Sequence, residues 1–218
     1  MILEIRDIGL RPYKEVWNLQ DDLRQKRQDE KIPNALILCE HNPVFTLGKR
    51  DCSGDILSPK EIIKADGIEV VQTNRGGKIT YHGPGQPIGY FICTLNDLKL
   101  GIKAFVNAIE EMCIRTLRDF DLDAQRSEVN PGVWIGNKKI AAIGLNISHG
   151  VTQHGFALNA SPNLSHYRHV IACGLKDFGV TSMEKELGCK PDPNKIKESI
   201  IKNVSAVFNV DITCRSQS

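Results

Sequence analysis

From Met1 to Arg11 apolar and polar residues alternate (Ile-Leu-Glu-Ile-Arg-Asp-Ile), the period of two expected of a β-strand. Between Pro12 and Lys31 the spacing lengthens. Val16, Trp17, Leu19 and Leu23 fall on one face and charges on the other, which predicts an amphipathic helix. Ala35 to Cys39 is a short unbroken apolar run, as in a strand buried on both faces. Ser58-Pro59-Lys60-Glu61 has the form of a capping box with proline at the first helical position. A short helix is expected there, ending at Gly67 and followed by a strand from Ile68 to Gln72.

The second half continues the mixture. A strand is expected from Ile88 to Leu95. A long helix follows from Ile102 to Phe120, with apolar residues at 102, 105, 106, 109, 112, 113, 117 and 120. Strands follow at Gly132 to Ile135, Lys139 to Ser148 and Thr152 to Ala160, the first two joined at the Gly136-Asn137 turn. Ser161 to Val180 shows no regular period. Asp192-Pro193 opens a last helix with Ile196, Ile200, Val204 and Phe208 on one face. Strands and helices mix without strict alternation, so the pattern predicts an α+β fold on a mixed, mostly antiparallel sheet. Without repeats or a linker, residues 1–218 are expected to form a single domain.

Composition narrows the class. A net charge of +2 with both signs interspersed carries no nucleic-acid footprint. No apolar run is long enough to span a membrane, and the first residues do not form a signal peptide. The seven cysteines include no Cys-x-x-Cys pair, so neither a metal site nor a disulfide framework is expected. The chain reads as a reduced, cytoplasmic protein that needs no cofactor.

The least ordinary segment is Arg75-Gly-Gly-Lys-Ile-Thr-Tyr-His-Gly-Pro-Gly-Gln86. Such glycine density lets backbone approach a ligand and present N–H groups. It is neither a Walker A loop nor a dinucleotide fingerprint. A plainer reading is a pair of tight turns. Among the cysteines, Cys39, Cys93 and Cys113 lie within apolar elements and read as small core residues. Cys214 lies in a polar tail, which leaves Cys52, Cys173 and Cys189 in loop contexts. Cys173 follows an apolar approach, Val-Ile-Ala, and precedes a glycine. A nucleophilic thiol needs a base or cation beside it, and His82, His154, Lys138 and Lys139 are the candidates. At a turn-to-strand position one of the two lysines should point inward. An inward lysine is costly to bury charged, which makes it a candidate base; the plainer reading has both merely charging a hairpin.

Read together, four segments resemble the lipoyl(octanoyl) transferase family. They are Arg75-Gly-Gly-x-x-Thr80-Tyr-His-Gly-Pro-Gly-Gln86, Pro131-Gly-Val-Trp-Ile-Gly136-x-Lys-Lys139-Ile, His154-Gly-x-Ala-Leu-Asn159 and Cys173-Gly174. His41-Asn-Pro-Val-Phe-Thr-Leu-Gly48 also resembles that family's early segment, and the likeness spans roughly residues 35 to 190. It implies a fold similar to the biotin and lipoate protein ligase catalytic domain, a larger and a smaller sheet flanked by helices. It further implies ATP-independent transfer of octanoyl from octanoyl-acyl carrier protein to a lysine of lipoyl domains. The acceptors would be those of 2-oxoacid dehydrogenase E2 subunits and the glycine cleavage H protein.

By position, the resemblance makes Cys173 the acyl-thioester residue and Lys139 its activating lysine. Substrate-binding segments would be Arg75, Gly76, Gly77, Lys78, Ile79, Thr80, Tyr81 and His82; Ala142, Ile143 and Gly144; and His154, Gly155, Phe156 and Ala157. The apolar pieces Ala141 to Leu145 and Phe156 to Leu158 are candidate walls for the acyl chain. One position departs: related sequences often have proline before the cysteine, restricting the backbone, where this chain has Ala172. Rival readings on the same residues are an ATP-dependent lipoate or biotin ligase, a non-catalytic carrier-binding module, and a cysteine amidase using His82 or His154.

Overall fold

The computed structural model describes residues 1–52, 54–127, 130–171 and 179–214. Strand β1 (Ile2–Arg11) leads into helix α1 (Tyr13–Gln28), followed by β2 (Asn34–His41), β3 (Val44–Leu47), α2 (Lys60–Ala65) and β4 (Glu69–Gln72). Then come β5 (Ile79–His82), β6 (Ile88–Ile92), the short α3 (Leu95–Leu98), the long α4 (Ile102–Arg118), β7 (Gln125–Arg126) and β8 (Val133–Ile135). The last are β9 (Lys138–Ser148), β10 (Val151–Leu158), a 3-10 turn (Leu164–His169), β11 (Gly179–Val180), α5 (Met183–Leu187), α6 (Pro193–Phe208) and β12 (Asp211–Cys214).

The larger sheet has the order β12-β1-β2-β6-β10-β9-β8-β7, with β11 beside β9; the smaller one is β4-β3-β5. From β2 through β7 every neighbour in the larger sheet is antiparallel, whereas β12, β2 and β11 lie parallel to their partners β1, β1 and β9. This is the mixed, mostly antiparallel α+β architecture expected from the pattern.

The larger sheet is covered on both faces, and β2 shows why its apolar run is unbroken. Leu36 and Leu38 face α4 and α6, where Phe105, Ile109, Ile200 and Phe208 complete a core. Ala35, Ile37 and Cys39 face α1 through Tyr13, Val16 and Leu23. Each such large side chain taken from water contributes roughly 1.5–3 kcal/mol. A third cluster, with Phe45, Ile63, Ile79 and Tyr81, sits under the smaller sheet.

Several elements differ from the pattern. The glycine-rich stretch contains β5, because Ile79 to His82 pair antiparallel with Val44 to Leu47. A strand inside a glycine-rich run shows no local period, and its partner β3 is only four residues long. The expected strand to Leu95 ends at Ile92, and Leu95 opens α3. The capping box at Ser58 does not form. Its hydroxyl pairs instead with His169 Nδ1 at 2.8 Å, while Pro59 precedes α2 without a side-chain cap. The cap at Asp192 does form, its carboxylate accepting from Asn194 N–H at 2.9 Å with proline next in the chain.

Close backbone approach accounts for two glycines in the centre of the larger sheet. A β-carbon on Gly155 would fall 2.1 Å from the Gly89 carbonyl oxygen, and one on Gly89 would fall 2.2 Å from the Phe156 ring. Glycine at both positions leaves room for the Phe156 ring and the Gly89 carbonyl where β6 and β10 pair antiparallel.

Candidate active site

A cavity of ≈ 420 Å³ opens between the two sheets. Its apolar wall comes from β9 and β10, through Ala142, Ile143, Gly144 and Leu145 and then Gly155, Phe156 and Ala157. The pairing Phe156↔Ile143 and Ala157↔Ala142 sets these pieces side by side. Ile79, Thr80 and His82 of β5 enter from the smaller sheet, and Ile102 and Val106 from the start of α4. Ile102 is 57 % exposed, so the first turn of α4 turns an apolar edge toward the cavity rather than the core.

The loop Arg75 to Lys78 forms the polar rim. Arg75 is buried and folds beneath its own loop. Its Nε and Nη2 donate to Thr46 Oγ1 at 3.1 and 2.9 Å, and its Nη1 donates to the Gly76 carbonyl at 3.0 Å. Gly76 N–H donates to the Leu145 carbonyl at 2.8 Å, tying the loop to β9. Gly77 takes φ +83°, a left-handed conformation that favours glycine, and a β-carbon on Gly48 would meet its carbonyl oxygen at 2.2 Å. Turn geometry and close approach of strand and loop act together here, since Gly85 beyond β5 also takes a left-handed φ of +82° in a turn closed by Gln86 N–H donating to the Gly83 carbonyl at 3.2 Å. Lys78 pairs with the buried Asp55 at 3.0 Å.

Lys139 is the inward lysine of the pair: it is 6 % exposed, whereas Lys138 is exposed. Its Nζ donates to Asn130 Oδ1 and to the Pro131 carbonyl, both at 3.1 Å, and lies 4.9 Å from the centroid of the Trp134 ring. Glu110 supports this arrangement from α4. Its buried carboxylate accepts from Gly132 N–H at 2.9 Å and pairs with Arg126 at 3.3 Å, fixing the turn that holds the lysine. Neither Glu110 nor Asn130 stands out in the sequence, since a buried acid in an amphipathic helix has no local signature. Tyr13 and Tyr90 also line the cavity without a sequence signal.

Three histidines meet near the far wall, with ring centroids of His41 and His82 5.9 Å apart and of Tyr90 and His154 6.1 Å apart. His41 Nδ1 donates to the Arg11 carbonyl and its Nε2 accepts from Tyr90 OH, both at 2.8 Å. His82 Nδ1 donates to Gln86 Oε1 at 2.7 Å, and His154 Nε2 donates to Asn74 Oδ1 at 2.7 Å. Burial pushes all three down, His41 to about 4, His154 to about 3 and His82 well below its ordinary value. A ring whose protonated form is so disfavoured is a poor proton acceptor, which weakens the amidase reading.

These histidines are neutral in the fold and titrate near ~6.5 when unfolded. The unfolded chain therefore binds more protons below that pH. Stability is full above ~6.5 and falls as pH drops toward about 4, by roughly 1.4 kcal/mol per pH unit per histidine. Urea unfolding at pH 7 and pH 5.2 should show this loss; equal midpoints at the two pH values would contradict it.

Of the expected substrate-binding residues, only Tyr81 does not line the cavity. It turns to the opposite face of β5, packs with Phe45 and bonds His166 Nδ1 through its hydroxyl at 2.9 Å. Alternation along β5 accounts for this, because Thr80 and His82 face the cavity while Tyr81 shares the opposite face with Ile79, which touches the cavity at the start of the strand.

Cys173 and Ala172 lie outside the described residues. None of the six described cysteines lines the cavity. Cys39, Cys52, Cys93 and Cys113 are buried, and burial raises their thiols above the ordinary range. Cys189 and Cys214 are exposed. The chain leaves toward Cys173 from Ile171, whose N–H donates to the Asp55 carbonyl at 2.8 Å. It re-enters at β11, where Val180 pairs with Lys139. Tyr167 and Val180, one on either side of that segment, share a small pocket with Lys139.

Among the described residues no cluster of histidine, cysteine and acidic side chains could hold a metal ion. No described helix is long and apolar enough to cross a membrane.

Residues 12–205 match the family model of the lipoyl protein ligase A/B catalytic domain. The chain is 43 % identical over 213 residues to an octanoyltransferase of Alkaliphilus metalliredigens, covering 97 % of this chain and 98 % of that protein. Its fold is similar to a bi-partite lipoate protein ligase of Thermoplasma acidophilum, with TM-score 0.73 and 17 % identity over 99 % of this chain and 86 % of that one. A biotin protein ligase from Aquifex aeolicus, in complex with biotin and ATP, superposes with TM-score 0.55 and 10 % identity over 95 % and 70 % of the two chains.

Proposed function

The chain belongs to the lipoyl protein ligase A/B catalytic domain family, and from this we propose that it is an octanoyltransferase of protein lipoylation. It would take octanoyl from octanoyl-acyl carrier protein as a thioester on Cys173. It would then pass the acyl group to a lysine of lipoyl domains, in 2-oxoacid dehydrogenase E2 subunits and the glycine cleavage H protein. The whole chain works as one cytoplasmic catalytic unit without ATP or metal, because the donor thioester is already activated.

The observation that carries this reading is the setting of Lys139. It is a buried amine at the polar end of an apolar-walled cavity, in register with the strand that follows the Cys173 segment. In the proposed reaction Lys139 accepts the Cys173 proton, and the thiolate attacks the donor carbonyl. The carrier's phosphopantetheine thiol leaves with a proton. The acceptor lysine then attacks the enzyme thioester, the amide forms, and Cys173 is released as the thiol. The wall formed by Ala142, Ile143 and Phe156 receives the eight-carbon chain, whose burial contributes roughly 5 kcal/mol at about 0.8 kcal/mol per methylene before ordering costs.

The test is direct. The chain, octanoyl-acyl carrier protein and a lipoyl domain are mixed without ATP, and the domain is weighed by intact mass spectrometry. The octanoyl increment on the domain is expected. Acylation only when free octanoate and ATP are added, with release of pyrophosphate, would replace this reading with a ligase. Tight carrier binding with no turnover would replace it with a binding module.

A further inference from the structure

The cavity has a charge imbalance that an octanoyl thioester does not need. Among the described residues its lining carries Arg50, Arg75, Lys78 and Lys139 and no carboxylate. Three of these cations are engaged within the fold: Arg75 by Thr46 and the Gly76 carbonyl, Lys78 by Asp55, and Lys139 by Asn130 and the Pro131 carbonyl. Arg50 is exposed, and its side chain has no hydrogen bond or ion pair with any described residue. It is also the one described residue that lines both this cavity and an adjoining open trough of ≈ 290 Å³ between Leu47 and Cys52.

Its backbone, in contrast, is fixed. Gly48, Lys49 and Arg50 donate their N–H groups to the carbonyls of Lys78, Arg75 and Gly77 at 3.1, 2.9 and 3.2 Å. The Arg50 carbonyl accepts from Cys52 Sγ at 3.1 Å. The clamped backbone fixes where this guanidinium starts, at the outlet of the cavity, while its exposed side chain still gives up rotamer freedom on binding an anion. The guanidinium can present two parallel N–H groups to phosphate oxygens.

We propose that Arg50 is the anchor for the phosphate of the donor's phosphopantetheine arm, with the acyl group and the arm's amides inside the cavity and the phosphate at its outlet, where the trough begins. The inference rests on the octanoyl-transfer reading above. Going outward from the thioester, the arm presents neutral amides and then its phosphate, the first formal charge to reach the outlet. The trough also carries Lys49, exposed with its Nζ donating to Asn146 Oδ1 at 3.3 Å, and the carboxylate of Asp51, so with Arg50 its described lining remains net positive.

The experiment compares octanoyl-phosphopantetheine, octanoyl-pantetheine and octanoyl-acyl carrier protein as donors for wild type, Arg50→Ala and Arg50→Lys. For Arg50→Ala, KM should rise on the order of tenfold for the two phosphate-bearing donors, the factor lost with one charge-assisted contact. KM for octanoyl-pantetheine, and kcat for all three, should be unchanged. Arg50→Lys should recover part of the loss. An equal KM rise with and without phosphate overturns the assignment. So does a rise confined to the intact carrier, which would place an acidic carrier surface at Arg50.

Calorimetric titration with phosphopantetheine and pantetheine, which requires no turnover, tests the site separately. Wild type should bind the phosphorylated arm more tightly and Arg50→Ala should not; equal affinities in wild type overturn the site. If wild type binds the phosphorylated arm through Arg50 yet acylates nothing, the transferase reading falls and the anion site stands.

Discussion

Cys173→Ala is expected to abolish both the acyl-enzyme and the acylated product. The prediction rests on the proposed transferase reading, and the described cysteines offer no rival nucleophile at the cavity. Of the other cysteines, four are buried with thiols pushed above the ordinary range, and the exposed Cys189 and Cys214 do not line the cavity. The reactive species is the thiolate, and a desolvated thiol resists forming it. Intact mass spectrometry after mixing with octanoyl-acyl carrier protein should show one octanoyl increment on wild type and none on the variant. Turnover should fall by roughly 10⁶-fold, the loss seen when other enzymes are stripped of their nucleophile. Cys52→Ser and Cys189→Ser serve as controls and should keep the increment. A Cys173→Ala protein that still gains the acyl mass would move the nucleophile elsewhere.

Lys139→Ala should lower the rate of acyl-enzyme formation by about 10²–10⁴-fold, the usual contribution of a positioned general base. Donor binding should be kept, because in the proposed reading the acyl chain is received by the apolar wall of Ala142, Ile143 and Phe156, which the substitution leaves in place. The variant also leaves Asn130 Oδ1 and the Pro131 carbonyl without their donor, at a cost of about 1–3 kcal/mol if no water replaces it. Stability must therefore be measured alongside rate. Stopped-flow acylation across pH separates the two roles. Loss of base function makes the rate follow the unassisted thiol and rise steeply toward alkaline pH, whereas a structural defect scales the whole profile down. A profile unchanged in shape would remove Lys139 as the base. Glu110→Gln, which weakens the turn that carries Asn130 and Pro131, should give a smaller loss in the same direction.

The elements that carry a strong period could be read from the chain directly. The alternation of β1, the unbroken run of β2 and the apolar face of α4 are local patterns, each imposed by burial on one or both faces. The four motifs likewise pointed to the family and to the residues of the cavity wall, because glycines and lysines at fixed spacing survive as a linear signature. Composition alone could not separate Cys173 from Cys52 and Cys189; the resemblance singled it out, and the fold buries Cys52 and leaves Cys189 off the cavity.

Tertiary structure decided the rest, for a physical reason. Whether Lys138 or Lys139 points inward depends on which face of β9 is covered. Tyr81 leaves the cavity because β5 alternates beside β3, and β3 is too short to announce itself. Ser58 looks like a helix cap until His169, more than a hundred residues away, takes its hydroxyl. Glu110 and Arg50 owe their roles to partners distant in sequence: a turn in one case, and the meeting of a cavity and a trough in the other. Local sequence sets period and chemical identity. Desolvation, charge balance and reach depend on what packs against each residue, and only the folded chain supplies that.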